Sequence, residues 1–348
     1  MQSTQLVLSA RPVGEPTADD FDTVTVDLPS LQDGQVLLRV VYLSLDPYMR
    51  GRMSEAESYA DPVALGDVMV GATVCEVLES RAPNRAAGDL VLSYSGWQTH
   101  AVADARATRR LDPDAAPVST ALGVLGMPGF TAYAGLLEIG KPGAGETVVV
   151  AAATGPVGSA VGQNARIKGA RAVGIAGGAE KCRALIEEFG FDAAVDHRAP
   201  DFRERLADAV PDGIDVYFEN VGGDVGRAVL RHLNLYARIP VCGLVAGYNA
   251  TKASEGPDRL DAFMGRVLTK SLTVRGFIQS EFEREHHAQF LDDMAGWVNN
   301  GQVRYREDVT VGLEHTVEAF NGMLAGRNFG KVVIQVDAPV DAPVDALG

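Results

Sequence analysis

Cysteine is scarce in this chain. Cys75, Cys182 and Cys242 are scattered through 348 residues, with no C-x-x-C pair and no cluster of four. That excludes a disulfide framework and a structural zinc site, and it suits a reducing compartment. A catalytic zinc needs converging Cys and His ligands, and no such pattern is present. His286 and His287 stand in a charged helical stretch and read as solvent-facing, so no metal is expected. Basic charge is outnumbered: 31 Lys and Arg against 46 Asp and Glu leave a net charge of -15. Nucleic acid and anionic membrane surfaces both need a basic face, so neither is expected as a partner. The opening MQSTQLVLSARP has neither a basic start nor a long apolar core, so no secretory signal is expected and the cytoplasm is the expected location. Residues 115–137 carry no charge, but Pro117, Gly123, Gly126, Pro128, Gly129 and Gly135 interrupt them. Such a density of breakers reads as loop and short helices at a domain junction, not as a membrane span.

What the sequence does contain is TVVVAAATGPVGSAVGQ, residues 147–163. Its apolar start, residues 147–152, reads as a strand buried on both faces. Gly155, Gly158 and Gly162 then open a helix that continues to about Lys168. In such a strand–turn–helix the backbone can approach a pyrophosphate closely, and the anion sits on N–H groups at the helix N-terminus. Thr154, Gly155, Pro156, Val157 and Gly158 are the candidate contacts. Ala153 replaces the usual first glycine, so the pattern is A-x-G-x-x-G. A bare glycine pattern is weak, and here the strand before and the helix after supply its context. The bland alternative is a tight turn in an ordinary strand–helix unit.

The texture changes along the chain. Residues 24–28, 35–43, 68–78, 89–93 and 99–102 are short β-rich runs separated by turn signals, which predicts a small, mainly antiparallel barrel or sandwich. From about residue 123, strands and helices alternate. After the first strand and its helix come strands at 172–176, 193–195, 214–219, 238–242 and 272–277, with helices at 180–189, 202–209, 225–233 and 259–268. Six strands with intervening helices predict an α/β, doubly wound parallel sheet. The expected division is a first domain over 1–122, a cofactor domain over 123–300, a return to the first domain over 301–336, and a loose tail over 337–348 that carries a DAPV repeat.

Cofactor choice follows from the second strand. An NAD site places Asp or Glu at its end, on the ribose 2′-OH. Here it ends in Ile175-Ala176-Gly177-Gly178, and Lys181 and Arg183 follow. A missing carboxylate with cations nearby favours the 2′-phosphate of NADP, with Lys181 as first candidate. The alternative is that these cations only solvate a helix face.

Several motifs resemble the zinc-independent medium-chain dehydrogenase/reductases, in the group of prostaglandin, alkenal double-bond and curcumin reductases. They are SLDPYMR (44–50), GMPGFTAYA (126–134), AAATGPVGSAVG (151–162), ENVGG (219–223), CGLVAGYN (242–249), RGFI (275–278) and GRNFGKVV (326–333). The resemblance spans roughly residues 5–336 and implies a Rossmann six-stranded sheet beside a GroES-like, mainly β barrel. It further implies NADP(H) and reduction of the carbon–carbon double bond of α,β-unsaturated ketones and aldehydes. Hydride would pass to the β-carbon, and a tyrosine would stabilise the enolate. Tyr248, in CGLVAGYN, is the first candidate for a donor, at the substrate or at the nicotinamide ribose as a cofactor contact. Tyr48, in SLDPYMR, is placed at the substrate mouth, unless it is a core residue whose hydroxyl finds a local partner.

The same resemblance puts Asn220, Cys242, Gly243, Phe277 and Ile278 near the nicotinamide half, and brings Asn328 and Gly330 to the cofactor. Asn220 and Asn328 could instead simply cap turns. Gly178, Lys181 and His197 belong to the 2′-phosphate end. His197 stands where the family often has tyrosine, as a phosphate contact or as an exposed loop residue. A homodimer through the edge strand at 272–277 is also implied. Two other readings stay open: a quinone reductase on the same scaffold, and a protein that binds NADPH for sensing or structure. The physiological acceptor depends on loops such as 51–65 and 249–258, which the sequence does not shape.

Overall fold

Alternation of apolar and polar residues makes the first part of the chain sheet-forming. In the computed structural model, which describes residues 1–252 and 257–337, it forms β1 (Gln2–Leu8), β2 (Phe21–Asp27), β3 (Gln35–Ser44), a short helix α1 (Tyr48–Arg52), β4 (Thr73–Ser80), β5 (Leu90–Ser93), β6 (His100–Asp104) and β7 (Arg109–Arg110). β1 and β2 pair antiparallel. β3 pairs β4 along one side, and β6 takes its first half on the other side. The expected strand over 68–78 begins only at Thr73. The break falls at Gly71, where a Cβ would stand 2.8 Å from Leu43 Cδ1, and residues before it bond irregularly: Met69 N–H donates to Leu6.

The second unit, Gly123–Arg306, opens with α2 (Met127–Ala134) and a π-helical turn over Gly135–Gly140. Then β8 (Thr147–Ala151), α3 (Pro156–Ile167), β9 (Arg171–Ala176), α4 (Ala179–Glu187), β10 (Ala193–Asp196), α5 (Phe202–Ala209), β11 (Ile214–Phe218), α6 (Gly223–Val229), β12 (Leu233–Val241), α7 (Leu260–Thr269), β13 (Thr273–Gly276) and α8 (Glu283–Asn299) alternate. The six strands lie parallel in the order β10-β9-β8-β11-β12-β13. This is the doubly wound order, with its switch point between β8 and β11. β8 is buried throughout, as its apolar run requires.

Two expectations here are corrected. The helix expected over 225–233 ends at Val229, and the strand expected over 238–242 starts earlier, at Leu233. Pairing of Ile214 with Leu233 draws the strand back. The register then shifts before Val216 meets Arg238, and Tyr236 absorbs the irregularity at φ +64°.

The segment from Glu307 onward belongs to the first unit. It supplies β14 (Glu307–Val311), α9 (Thr316–Leu324) and β15 (Lys331–Gln335). β15 pairs antiparallel with the second half of β3 and parallel with β14, completing the barrel-like sheet. Its core holds the fully buried Trp97, stacked on Phe21 and edge-on to Phe320, each at 5.6 Å. Of the expected tail only Asp337 is described, paired with Arg39 at 2.8 Å; the rest of 337–348, and residues 253–256 of the loop 249–258, lie outside the described residues. No helix among the described residues is long and apolar enough to cross a membrane.

Candidate active site

The glycine loop is shaped by contact. Ala152, directly after β8, lies in the left-handed region at φ +51°, a conformation costly for a residue with a side chain. A Cβ on Gly158 would stand 2.4 Å from the Ala152 carbonyl oxygen and 2.7 Å from Ala153 Cα. Only glycine lets the start of α3 press so closely on the end of β8. Gly162 is packed likewise, where a Cβ would fall 2.0 Å from the Phe191 ring. Gly155 is the N-cap of α3, Pro156 follows it, and the first turn carries no acidic residue. Proline loses no needed N–H at that position. An acid-free helix N-terminus behind a glycine turn fits a pyrophosphate.

Basic groups gather at the end of β9. A Cβ on Gly177 would lie 2.9 Å from His197 Nε2 and 2.7 Å from Arg198 Nε. His197 is exposed, as a loop residue would be, yet its ring stands against this glycine. Partial burial of the ring, then the charge of Arg198 and that of Lys181, hold His197 below its ordinary value against the opposing pull of Asp196. Gly178, at φ +99°, is the N-cap of α4. Its N–H and that of Arg198 both donate to Asp196 Oδ1, at 2.8 and 2.9 Å. Burial works against the charged Asp196 carboxylate, but these two amides with His197 and Arg198 outweigh it and keep the carboxyl below its usual range. The Asp196 carboxylate is thus engaged by backbone amides, while the neutral His197 ring and the Arg198 guanidinium face Gly177 and the charge of Lys181 reaches His197. That donor set suits a phosphate.

At the switch point a third cluster forms. Asn220 Nδ2 donates to the Ala151 carbonyl at 2.9 Å, tying the end of β11 to the end of β8. Glu219, 7% exposed, accepts at Oε1 from the Tyr217 hydroxyl and from the Val221 and Gly222 amides, each at 2.8 Å. Its carbonyl accepts from Cys242 and Gly243 N–H at 2.9 and 3.2 Å, which fastens the end of β12. Burial still pushes the Glu219 carboxyl up. A Cβ on Gly243 would lie 3.2 Å from the Tyr248 hydroxyl and 3.5 Å from the Asn220 carbonyl. Tyr248 therefore lies over a glycine at the carboxyl edge of the sheet. Burial raises its phenol pKa, against a backbone hydrogen bond at Leu244, so it stays protonated at neutral pH. Burial also pushes the Cys242 thiol up to about 12. Phe277, buried, meets the Phe218 and Phe282 rings at 6.1 Å. Ile278 N–H is taken by Glu281 at 2.7 Å.

The other candidates belong to the first unit. Tyr48 opens α1, half-buried, its phenol raised by burial and by Asp46. Asn328 Nδ2 donates to the Gly330 carbonyl at 2.9 Å, and Gly330 sits at φ +93°.

Within the second unit, three separated motifs thus meet at Ala151, Asn220, and Gly243 with Tyr248, and His197 joins Gly177 and Arg198. Sequence reading missed Glu219 and Arg198 as working residues. Both stood beside residues it did single out, and only the fold shows what their side chains face. Among the described residues, no group of three or more His, Cys, Asp and Glu is placed to hold a metal.

Comparison with known proteins accords with this geometry. A family described as the N-terminal domain of oxidoreductase matches residues 4–111, and one described as zinc-binding dehydrogenase matches residues 156–295. The NADPH-dependent curcumin reductase of Escherichia coli (strain K12) is 54% identical over 95% of this chain and 96% of its own. Prostaglandin reductase 1 of Bos taurus is 40% identical over 93% and 96%. The crystal structure of CurA in complex with NADPH from Vibrio vulnificus superposes with a TM-score of 0.92 at 50% identity, over 97% of this chain and all of the other.

Proposed function

The chain belongs to the prostaglandin reductase and curcumin reductase group of the medium-chain dehydrogenase/reductases, and from that premise we propose that it reduces the carbon–carbon double bond of α,β-unsaturated ketones and aldehydes. Its cofactor is NADP(H). The observation that carries the reading is the Tyr248 hydroxyl over Gly243 beside Asn220, at the carboxyl ends of β11 and β12 next to the switch point, where a doubly wound sheet takes its ligand.

Thr154, Gly155, Pro156, Val157 and Gly158 would hold the pyrophosphate. Gly178, Lys181, His197 and Arg198 would hold the 2′-phosphate. Asn220, Cys242, Gly243, Phe277 and Ile278 would surround the nicotinamide half. When bound, NADPH supplies a hydride, which adds to the substrate β-carbon. Negative charge would then collect on the carbonyl oxygen until the α-carbon takes up a proton, from water or a tyrosine, to give the saturated carbonyl product. Tyr248, held protonated by burial, donates a hydrogen bond to that oxygen as the charge develops. A phenol in this role asks for no Lewis acid, so the reaction is zinc-independent. In the first unit, Tyr48 is the residue proposed to contact the acceptor.

Tyr248→Phe tests the reading. With a medium-chain 2-alkenal, kcat should fall about a hundredfold, the size of effect seen on removing one preorganised donor, with NADPH affinity within twofold of the parent. A loss of NADPH affinity with kcat unchanged would make Tyr248 a cofactor residue instead. A quinol product with inert enones would move the activity to quinone reduction.

The second unit also has a face suited to a second copy. β13 is an edge strand with all four residues exposed. On the preceding helix Leu260, Met264 and Leu268 are exposed at four-residue intervals, one apolar stripe. We propose a homodimer that pairs β13 with its copy.

A further inference from the structure

We propose that the buried pair Asp46–Lys331 is a positioning device that sets the direction of Tyr48; this rests on the reading of Tyr48 given above. The pair joins two of the quoted motifs, SLDPYMR and GRNFGKVV, across 285 positions of sequence within the first unit. Lys331 Nζ reaches Asp46 Oδ1 at 2.6 Å and the Leu45 carbonyl at 2.6 Å, and the two side chains are only 2% and 5% exposed. Asp46 Oδ2 accepts from the Ser44 hydroxyl. The Leu45 N–H is itself held by the Val332 carbonyl at 3.2 Å. Residues 44–46 are therefore fixed by backbone and side chain to the start of β15.

That fixation ends where α1 begins. The Asp46 carbonyl accepts from Met49 N–H at 3.1 Å, closing the turn that carries Tyr48. On the far side of Tyr48, the buried Arg50 guanidinium donates to the Pro12 and Gly14 carbonyls at 3.2 and 2.9 Å. Met49 and Met53 are fully buried in the core around Trp97. The turn is pinned before and after Tyr48, while the tyrosine itself is left half-buried.

Stability alone does not call for such a pair. A buried ion pair replaced by apolar residues of similar volume often leaves a fold as stable or more so. What lysine and aspartate add is direction: one ammonium satisfies a carboxylate and a carbonyl from adjacent residues. The other acid facing Lys331 is Glu307, whose buried carboxyl is pushed up by burial. It can take a proton when the lysine is removed.

The experiment is a cycle of Asp46→Asn with Lys331→Met, which removes both charges and leaves none uncompensated, against Tyr48→Phe. Each variant is assayed with NADPH and a 2-alkenal, with melting temperature and NADPH affinity as controls. Tyr48→Phe should lower kcat/KM for the alkenal. The charge-free pair should lower it at least tenfold in the Tyr48 background and less than twofold in the Tyr48→Phe background, with NADPH affinity within twofold in both. Equal losses in the two backgrounds, or no loss from the pair while Tyr48→Phe is impaired, would overturn the proposal. Full activity of Tyr48→Phe would overturn the reading of Tyr48 and the proposal with it.

Discussion

His197 is the residue whose chemistry depends most on what binds beside it. In the free protein, partial burial, Arg198 and Lys181 keep its ring neutral at pH 7. A histidine held below its ordinary value of about 6.5 makes the fold less stable as pH falls through that value, because the unfolded chain then takes up the proton more readily. A phosphate beside the ring reverses the preference, and binding takes up a proton. NADPH affinity should therefore strengthen as pH falls from 8 to 6, and NADH affinity should not. His197→Asn should flatten the NADPH slope, measured by titration calorimetry at several pH values. The same slope in the variant would place the 2′-phosphate elsewhere. The candidacy of His197 was legible from its place after the third strand. The partnership of Arg198 was not, because only the fold turns its guanidinium towards Gly177.

At the scale of elements, strand ends do the work. The strand–turn–helix of β8 and α3 could be read in advance because the apolar run and the glycines lie in one stretch of seventeen letters, residues 147–163. The knot at Glu219 could not. A lone carboxylate after an apolar strand looks solvent-facing until three donors are seen to converge on one of its oxygens. The early start of β12 was hidden too, since its bulge at Tyr236 breaks the alternation that would have marked it. The Asp46–Lys331 pair links positions too far apart for any local pattern. Glu219→Ala should strand three donors and cost about 1–3 kcal/mol or more, lowering the melting temperature and weakening NADPH binding. Glu219→Gln keeps the accepting oxygen and should stay within about 1 kcal/mol of the parent. Equal damage from both substitutions, read by denaturant unfolding, would mean that the carboxylate charge rather than its hydrogen bonds holds the strand ends.

At the scale of the whole molecule, acidic composition, the doubly wound unit and the mainly β unit all agree with a small-molecule enzyme, and the two-texture reading of the sequence foreshadowed both sheets. The exposed edge of β13 and the stripe on α7 predict a particle of twice the chain mass of 36.8 kDa by light scattering. Leu268→Glu with Val274→Lys should halve it by placing charge on the stripe and the edge. An unchanged dimer would locate the interface on another face. The fate of the hydride decides the activity, and it is followed with NADPH deuterated at the transferable position and a 2-alkenal, the product being read by mass spectrometry and NMR. Carbon–carbon double-bond reduction gives a saturated aldehyde with one deuterium on the β-carbon. An allylic alcohol with deuterium on the carbonyl carbon would mean carbonyl reduction instead.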